Sequence, residues 1–431
     1  MKKRAYFAAF AAFAAVFVFV FSHMPIYAAF SKSVSSPHAA VYNTENGIFI
    51  YEKAAEEKIQ PSSTAKIMTG ILAIEHFRSD PDKEITVTYS AIKGLDGTTT
   101  MNLKVGEKVT VRQLLYGLLV GGANDAAQVL AFEISKANAM FAVKMTERAR
   151  ELGALSTLYK NPTGLDDLTA YTTARDVAVI SAYAYSMPEF MEICCTKKYE
   201  MPATNKSNAR TIYTRNHLIS NHNQLKYLYS DAIGISSGST ELGGYCIVSA
   251  TQSSFNYICV VMGGGKDEKG DIAPYYDVKN LLSWSRDAYE MKKVADAGIV
   301  LWEMPVSLCA EYGSVTIAPE SAVYAYLPKD FDTSAVALVP HFDTESIEAP
   351  AEKGTCVGTL SVMINGEAVG ETKLVTKYSV RRSDSLAAKA RARAFLKNPF
   401  FIIAAISLVI AAVVFTFVRI YIYMKKADIK K

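Results

Sequence analysis

Ser63 and Lys66 lie three residues apart in the run Pro61-Ser62-Ser63-Thr64-Ala65-Lys66-Ile67-Met68-Thr69. That spacing puts both side chains on one face of a helix. The residues from Ile67 to Ile74 are apolar almost all round, the pattern of a helix buried in the middle of a domain. A serine beside a lysine reads as a nucleophile whose base is lysine rather than histidine. At the N-terminus of a buried helix the macrodipole also favours an alkoxide or oxyanion. The same residues fit a serine that only caps a helix, so the structural context has to decide.

Other polar stretches fall where such a site would need walls. Gly121-Gly122-Ala123-Asn124-Asp125 separates two apolar helices, one from Val111 to Val120 with Thr110 as its cap and one opening at Ala126. It reads as a loop held inside the protein, with Asp125 as cap or site residue. Asn161-Pro162-Thr163-Gly164-Leu165-Asp166-Asp167 is a turn, and Gly94 to Thr100 is a loop able to rim a cleft. Thr172-Thr173 caps a helix running to about Ser186, whose Arg175 reads as an ion-pair partner rather than a substrate ligand.

The elements that position these residues come from both ends of residues 36–292. Ala39–Tyr42 and Ile48–Tyr51 form a hairpin, and Ile85–Thr88 and Glu107–Val109 are short strands. Ala137–Leu152 is an amphipathic helix. Strands follow at Ala232–Ile235, Tyr245–Ala250 and Tyr257–Met262, with Val278–Met291 as a closing helix. Strands from both ends with helices between them make an α+β domain. Residues 297–378 carry short strands with regular turns, the pattern of a small β-sandwich, and hold no catalytic cluster.

The chain has 431 residues, a formal net charge of +4 and half of its residues apolar. That implies about two domains, ample core and no nucleic-acid partner. Residues 1–29 have the basic start, apolar run and small-residue end of a signal peptide. An uncharged stretch, residues 400–418, is long enough to cross a bilayer. Its basic tail, 419–431, suits a cytoplasmic end, and the basic segment 383–397 reads as a helix on the outer membrane surface or a solvated linker. The six cysteines have no framework spacing, and unpaired buried thiols are expected, although a Cys246–Cys259 bridge is possible. No Cys/His cluster has metal-ligand spacing, so no metal or cofactor is expected.

Taken jointly, Pro61 to Thr69, Leu114-Leu115-Tyr116-Gly117-Leu118-Leu119 with Asn124-Asp125-Ala126-Ala127, Asn161 to Leu165, and Thr173 to Asp176 resemble the D-alanyl-D-alanine carboxypeptidases. These are the low-molecular-weight, serine-active penicillin-binding proteins. The resemblance covers roughly residues 38–375. It implies a helical cluster on an antiparallel sheet, followed by a β-rich domain. It also implies Ser63 as nucleophile, Lys66 as general base, Asn124 as an orienting group and an oxyanion hole from the N–H groups of Ser63 and Ser239. Ser236, Ser237, Gly238 and Ser239 would line the substrate site. The implied partners are peptidoglycan stem peptides and β-lactam antibiotics.

Two motifs depart from the family. Its Ser-x-Asn reads Gly122-Ala123-Asn124 here, and its Lys-Thr-Gly reads Ser236-Ser237-Gly238. The lost serine removes a proton relay, a kind of help worth about 10²–10⁴-fold. The lost lysine removes a charged donor to the substrate carboxylate, worth roughly 1.5–3 kcal/mol. It also removes a like charge that would depress Lys66. Another basic residue, such as Lys226, is a candidate replacement. Two expectations therefore stand beside each other: an exported, anchored carboxypeptidase with reduced activity, and a degenerate relative that binds peptidoglycan or a protein partner without turnover. A serine β-lactamase fits less well, because a β-domain and an anchor follow the catalytic region.

Overall fold

A computed structural model describes residues 28–428 apart from 221, 223, 253, 254 and 310. The expected signal peptide therefore lies outside the described residues, except for its last two positions. Residues up to Glu290, with Pro328–Asp330, form one unit, and Met291–Leu327 with the chain from Phe331 onward form another.

The first unit opens with the antiparallel hairpin β1 (His38–Asn43) and β2 (Ile48–Lys53). A 3₁₀ turn, Ser62–Thr64, leads into α1 (Ala65–His76). As its apolar sequence requires, α1 is buried from Ala65 through Ile71 and again at Ala73 and Ile74. The short strands β3 (Glu84–Thr86) and β4 (Lys108–Thr110) pair across α2 (Tyr89–Ile92). A capping box starts α3 (Val111–Leu119): Gln113 N donates to Thr110 Oγ1, and the Gln113 side chain accepts from Thr110 N. Helices α4 (Asn124–Ser135), α5 (Asn138–Glu151), α6 (Ala174–Tyr185) and α7 (Pro188–Cys194) complete the cluster. The hairpin β5 (Lys198–Met201) and β6 (Arg210–Tyr213) follows.

Next come β7 (Ala232–Thr240), β8 (Gly244–Thr251), β9 (Tyr257–Gly264) and α8 (Ala273–Ala288). These strands close an antiparallel sheet of order β2-β1-β9-β8-β7, with β1 returning to pair with β9. Ile258, Val260 and Met262 of β9 join the core that α1 and the other helices build. An edge position leaves β7 free to pack on the turn that carries Ser63.

Three boundaries of this unit differ from the sequence expectation, and the first is β7, which runs on to Thr240 instead of ending at Ile235. The closing helix runs Ala273–Ala288 rather than Val278–Met291, because Pro274 is placed in its first turn, where a missing N–H costs nothing. From Tyr289 the chain turns extended as β10 (Tyr289–Ala295). Helix α4 begins at Asn124, two residues before Ala126, so Asn124 and Asp125 occupy its first turn rather than a loop.

The second unit carries β11 (Trp302–Ser307), β12 (Ser314–Pro319), β13 (Val323–Pro328), β14 (Ala337–Phe342), β15 (Ile347–Glu348), β16 (Cys356–Ile364) and β17 (Glu367–Thr376). Six of them form a sheet of order β14-β16-β17-β12-β11-β15, and β10 pairs with β13. Val315, Ile317, Val323, Leu360 and Leu374 share one core. Two helices end the described chain, α9 (Asp384–Lys397) and α10 (Pro399–Asp428). The stretch Pro399–Ile420 is long and apolar enough to cross a membrane, and none of it is buried.

All six cysteines are free. Cys259 of β9 lies opposite Ser249 rather than Cys246, so the register itself rules out that bridge.

Candidate active site

Ser63 is half-buried in the 3₁₀ turn ahead of α1, and Ser62 before it has φ 48°, unusual for a side-chain-bearing residue. The turn Asn161–Leu165 clamps this conformation from one side. Asn161 Oδ1 accepts from Thr163 N at 3.1 Å, Thr163 Oγ1 at 2.7 Å and Gly164 N at 2.8 Å, and its Nδ2 donates to Leu165 O at 2.8 Å. Gly164, at φ +74°, lies so close that a methyl group there would sit 1.7 Å from Ser62 O. The turn offers two carbonyls to α1: Thr69 Oγ1 donates to Pro162 O at 2.6 Å, and Lys66 Nζ donates to Thr163 O at 2.7 Å.

Lys66 is 6% exposed. Burial, followed by repulsion from the Arg215 guanidinium, pushes it down to about 7. A lysine at that value is substantially unprotonated at neutral pH, as a general base must be.

Asn124 is buried, and its N–H donates to Thr99 O at 2.8 Å. Its Oδ1 has no partner among the described residues, so the expected orienting contact with Lys66 is not made; Thr163 O takes that place. Asp125 is structural in its contacts. Its carboxylate accepts from Met101 N and Leu103 N, each at 3.0 Å, and from Ala126 N at 2.9 Å, pinning the loop that precedes β4.

From the other side comes β7. A methyl at Gly238 would lie 2.2 Å from Ser63 Oγ, so only a glycine lets the strand pass across the Ser63 hydroxyl. Ser236 Oγ donates to Ser63 O at 3.3 Å, and Ser237 Oγ donates to Arg215 O at 2.8 Å. The hydroxyl protons of Ser236 and Ser237 are thus committed to backbone carbonyls rather than offered to a carboxylate. Ser239 is exposed at the outer end of the strand.

The sequence reading missed Arg215. Its N–H donates to Val120 O at 3.1 Å, and its carbonyl accepts from Ser237 Oγ and, at 3.3 Å, from Tyr275 OH. Its side chain crosses Gly122, where a methyl would sit 3.1 Å from Arg215 Cδ. Lys66, Gly122, Cys194, Arg215, Ser236 and Ser237 line one small cavity. No spacing in the sequence marks Arg215, since the β5–β6 hairpin brings it there. Lys226, the candidate replacement cation, is instead held by Asp271. Arg175 pairs with Glu52 and lies over the Phe49 ring, as an ion-pair role predicts.

A serine–lysine turn wedged between a helical cluster and the edge of an antiparallel sheet defines an active-site-serine architecture. Residues 26–266 match the family profile described as D-alanyl-D-alanine carboxypeptidase, and residues 289–382 match that of the penicillin-binding protein 5 C-terminal domain. The chain belongs to the D-alanyl-D-alanine carboxypeptidase family of low-molecular-weight penicillin-binding proteins. The D-alanyl-D-alanine carboxypeptidase DacF of Bacillus subtilis is 25% identical over 80% of this chain and 86% of its own length. DacC of Escherichia coli is 28% identical over 84% of this chain and 90% of its own. Among solved structures, penicillin-binding protein 5 of Haemophilus influenzae superposes with a TM-score of 0.59 at 23% identity, covering 81% of this chain and 99% of that one.

Proposed function

We propose that this chain is a membrane-anchored, serine-type D-Ala-D-Ala carboxypeptidase that removes the terminal D-Ala from peptidoglycan stem peptides. The observation that carries this reading is a buried lysine, brought near neutrality, one helical turn from a serine over which β7 passes. Ser63 Oγ attacks the carbonyl of the penultimate D-Ala while Lys66 takes the hydroxyl proton. The backbone N–H groups of Ser63 and Ser239 receive the oxyanion. Collapse of the tetrahedral adduct breaks the amide bond, and Lys66 returns its proton to the departing D-Ala amine. Water, deprotonated by the same lysine, then attacks the acyl-serine; the ester C–O bond breaks, Lys66 returns the proton to Ser63 Oγ, and the shortened peptide is released. The unpartnered Asn124 Oδ1 is the acceptor for a substrate amide N–H. β-Lactams enter the same path and stop at the acyl-enzyme. The catalytic unit lies outside the cell, with α10 as its anchor.

Intact-mass spectrometry of the full chain in detergent tests this. Penicillin adds its mass to the wild type and not to Ser63→Ala, and D-Ala release from a pentapeptide falls by at least about 10³-fold in that variant. The altered Gly122 and Ser236 motivate one other reading, a binder without turnover. Stem-peptide binding equal in wild type and Ser63→Ala, with neither label nor released D-Ala, would replace the first reading with the second.

A further inference from the structure

We propose that Arg215, whose side chain passes over Gly122, receives the substrate's terminal carboxylate, taking the place of the lysine absent from Ser236-Ser237-Gly238. This rests on the reading of Ser63 as the acylated nucleophile.

Three observations converge on that residue. First, its backbone is fixed on both sides of the cleft: the N–H to Val120 at the end of α3, the carbonyl to Ser237 on β7 and to Tyr275 on α8. An anchored backbone limits where a long side chain can reach. Second, the side chain passes over Gly122 so closely that a methyl group there would press on Arg215 Cδ at 3.1 Å. A serine at 122 would add that methylene and a hydroxyl in the same space. The two departures from the family pattern thus lie together in space, both beside Arg215, although Gly122 is also favoured by its own φ of +65°. Third, the guanidinium is not neutralised, unlike those of Arg148, Arg210 and Arg286, which pair with Glu75, Glu107 and Asp231; Arg78 and Arg150 also lack a carboxylate partner among the described residues, but they do not line this cavity. Among the described residues, no carboxylate pairs with Arg215.

A guanidinium at the mouth of the cavity presents two parallel N–H groups, the geometry that matches a carboxylate. Ser236 and Ser237 already donate to backbone carbonyls and do not compete for that role. The same charge bears on Lys66. Among the described residues Arg215 is the charged group acting on it, and the other titratable side chain of the cavity is the Cys194 thiol, pushed upward by the neighbouring Cys195 and by burial. One arginine therefore does both jobs that the absent lysine would have done: it binds the carboxylate and keeps the base unprotonated.

The test compares two peptides, one ending in a free D-Ala carboxylate and one in the D-Ala carboxamide, using the full chain in detergent. Penicillin labelling of Ser63 is followed by intact mass in the same preparations. In wild type the free carboxylate is preferred. Arg215→Gln is expected to lower kcat/KM for the carboxylate peptide roughly 10- to 150-fold, to leave the carboxamide rate near wild type at high pH, and to shift the rising limb of the pH profile upward. Arg215→Lys keeps the charge without the fork, so it retains the pH profile and loses part of the carboxylate preference. Arg215 is exposed, so both variants should melt within a few degrees of wild type. An unchanged carboxylate preference in Arg215→Gln, with Ser63 still labelled, overturns the proposal and leaves the carboxypeptidase reading intact. A wild type that takes no label at Ser63 removes that reading, and this proposal with it.

Discussion

A lysine can take a proton from serine only if it arrives without one, and the proposed role of Lys66 as base rests on burial and Arg215 together lowering its pKa. The pH dependence follows with its sign. With Lys66 as the base, acylation should be slow below about 7, where the lysine is mostly protonated, and should level off above it. Stopped-flow acylation by a chromogenic β-lactam should therefore rise roughly tenfold per pH unit on the acid side of that value. Gly238 sets a second residue-scale expectation. A methyl 2.2 Å from Ser63 Oγ must displace either the nucleophile or the strand. A displacement of about 1 Å costs on the order of 10²-fold, so Gly238→Ala should acylate at least that much more slowly while keeping its circular dichroism spectrum. Ser63 and Lys66 were legible in the sequence because they sit on one helical turn, where spacing alone brings them together. Arg215 was not, because nothing local links it to a serine that precedes it by more than a hundred residues.

Elements place the site by clamping it, and the clamps are polar. The Asn161 side chain organises its whole turn through four hydrogen bonds, and that turn holds Lys66 and Thr69 by their side chains. Asn161→Ala should cost about 1–3 kcal/mol of stability and slow acylation together, since the carbonyl that holds Lys66 is no longer fixed. Denaturant melts and β-lactam labelling of the same sample check both. Buried Glu107 accepts from Arg210 Nη2 at 2.7 Å, Thr204 Oγ1 at 2.8 Å and Lys104 N at 2.9 Å. This ties the hairpin β5–β6 to the β3–β4 pair. Arg210→Ala strands that carboxylate without its cation, and a loss of about 3–5 kcal/mol is expected in a urea titration. The hydrophobic strands and capped helices of this unit were readable from period and cap. The β5–β6 hairpin was not, because its strands are short, half-exposed and mostly polar, and its position depends on a salt bridge across the fold.

At the scale of the whole molecule, solubility divides the chain more sharply than composition suggests. None of the apolar run Pro399–Ile420 is buried among the described residues, and an apolar run of that length left in water would be a severe aggregation hazard. A bilayer removes the problem at a length matching its hydrocarbon core. Its apolar residues were legible because a helix long and apolar enough to cross a membrane depends on composition and length, not on distant contacts. By contrast, the end of the closing helix depended on where Tyr289 could turn extended, which composition does not record. With all six cysteines free, no covalent link contributes to the fold, so adding dithiothreitol should leave the melting temperature unchanged. Truncation after Asn398 should then release a chain that stays in the supernatant after ultracentrifugation, while the full chain remains in the pellet through carbonate washing. The truncated chain should be labelled by penicillin at Ser63 at the same rate, since every residue assigned to the site lies before Leu242. A truncated chain that still pellets with washed membranes would show that the basic helix α9 or the upstream units, rather than α10, hold the protein there.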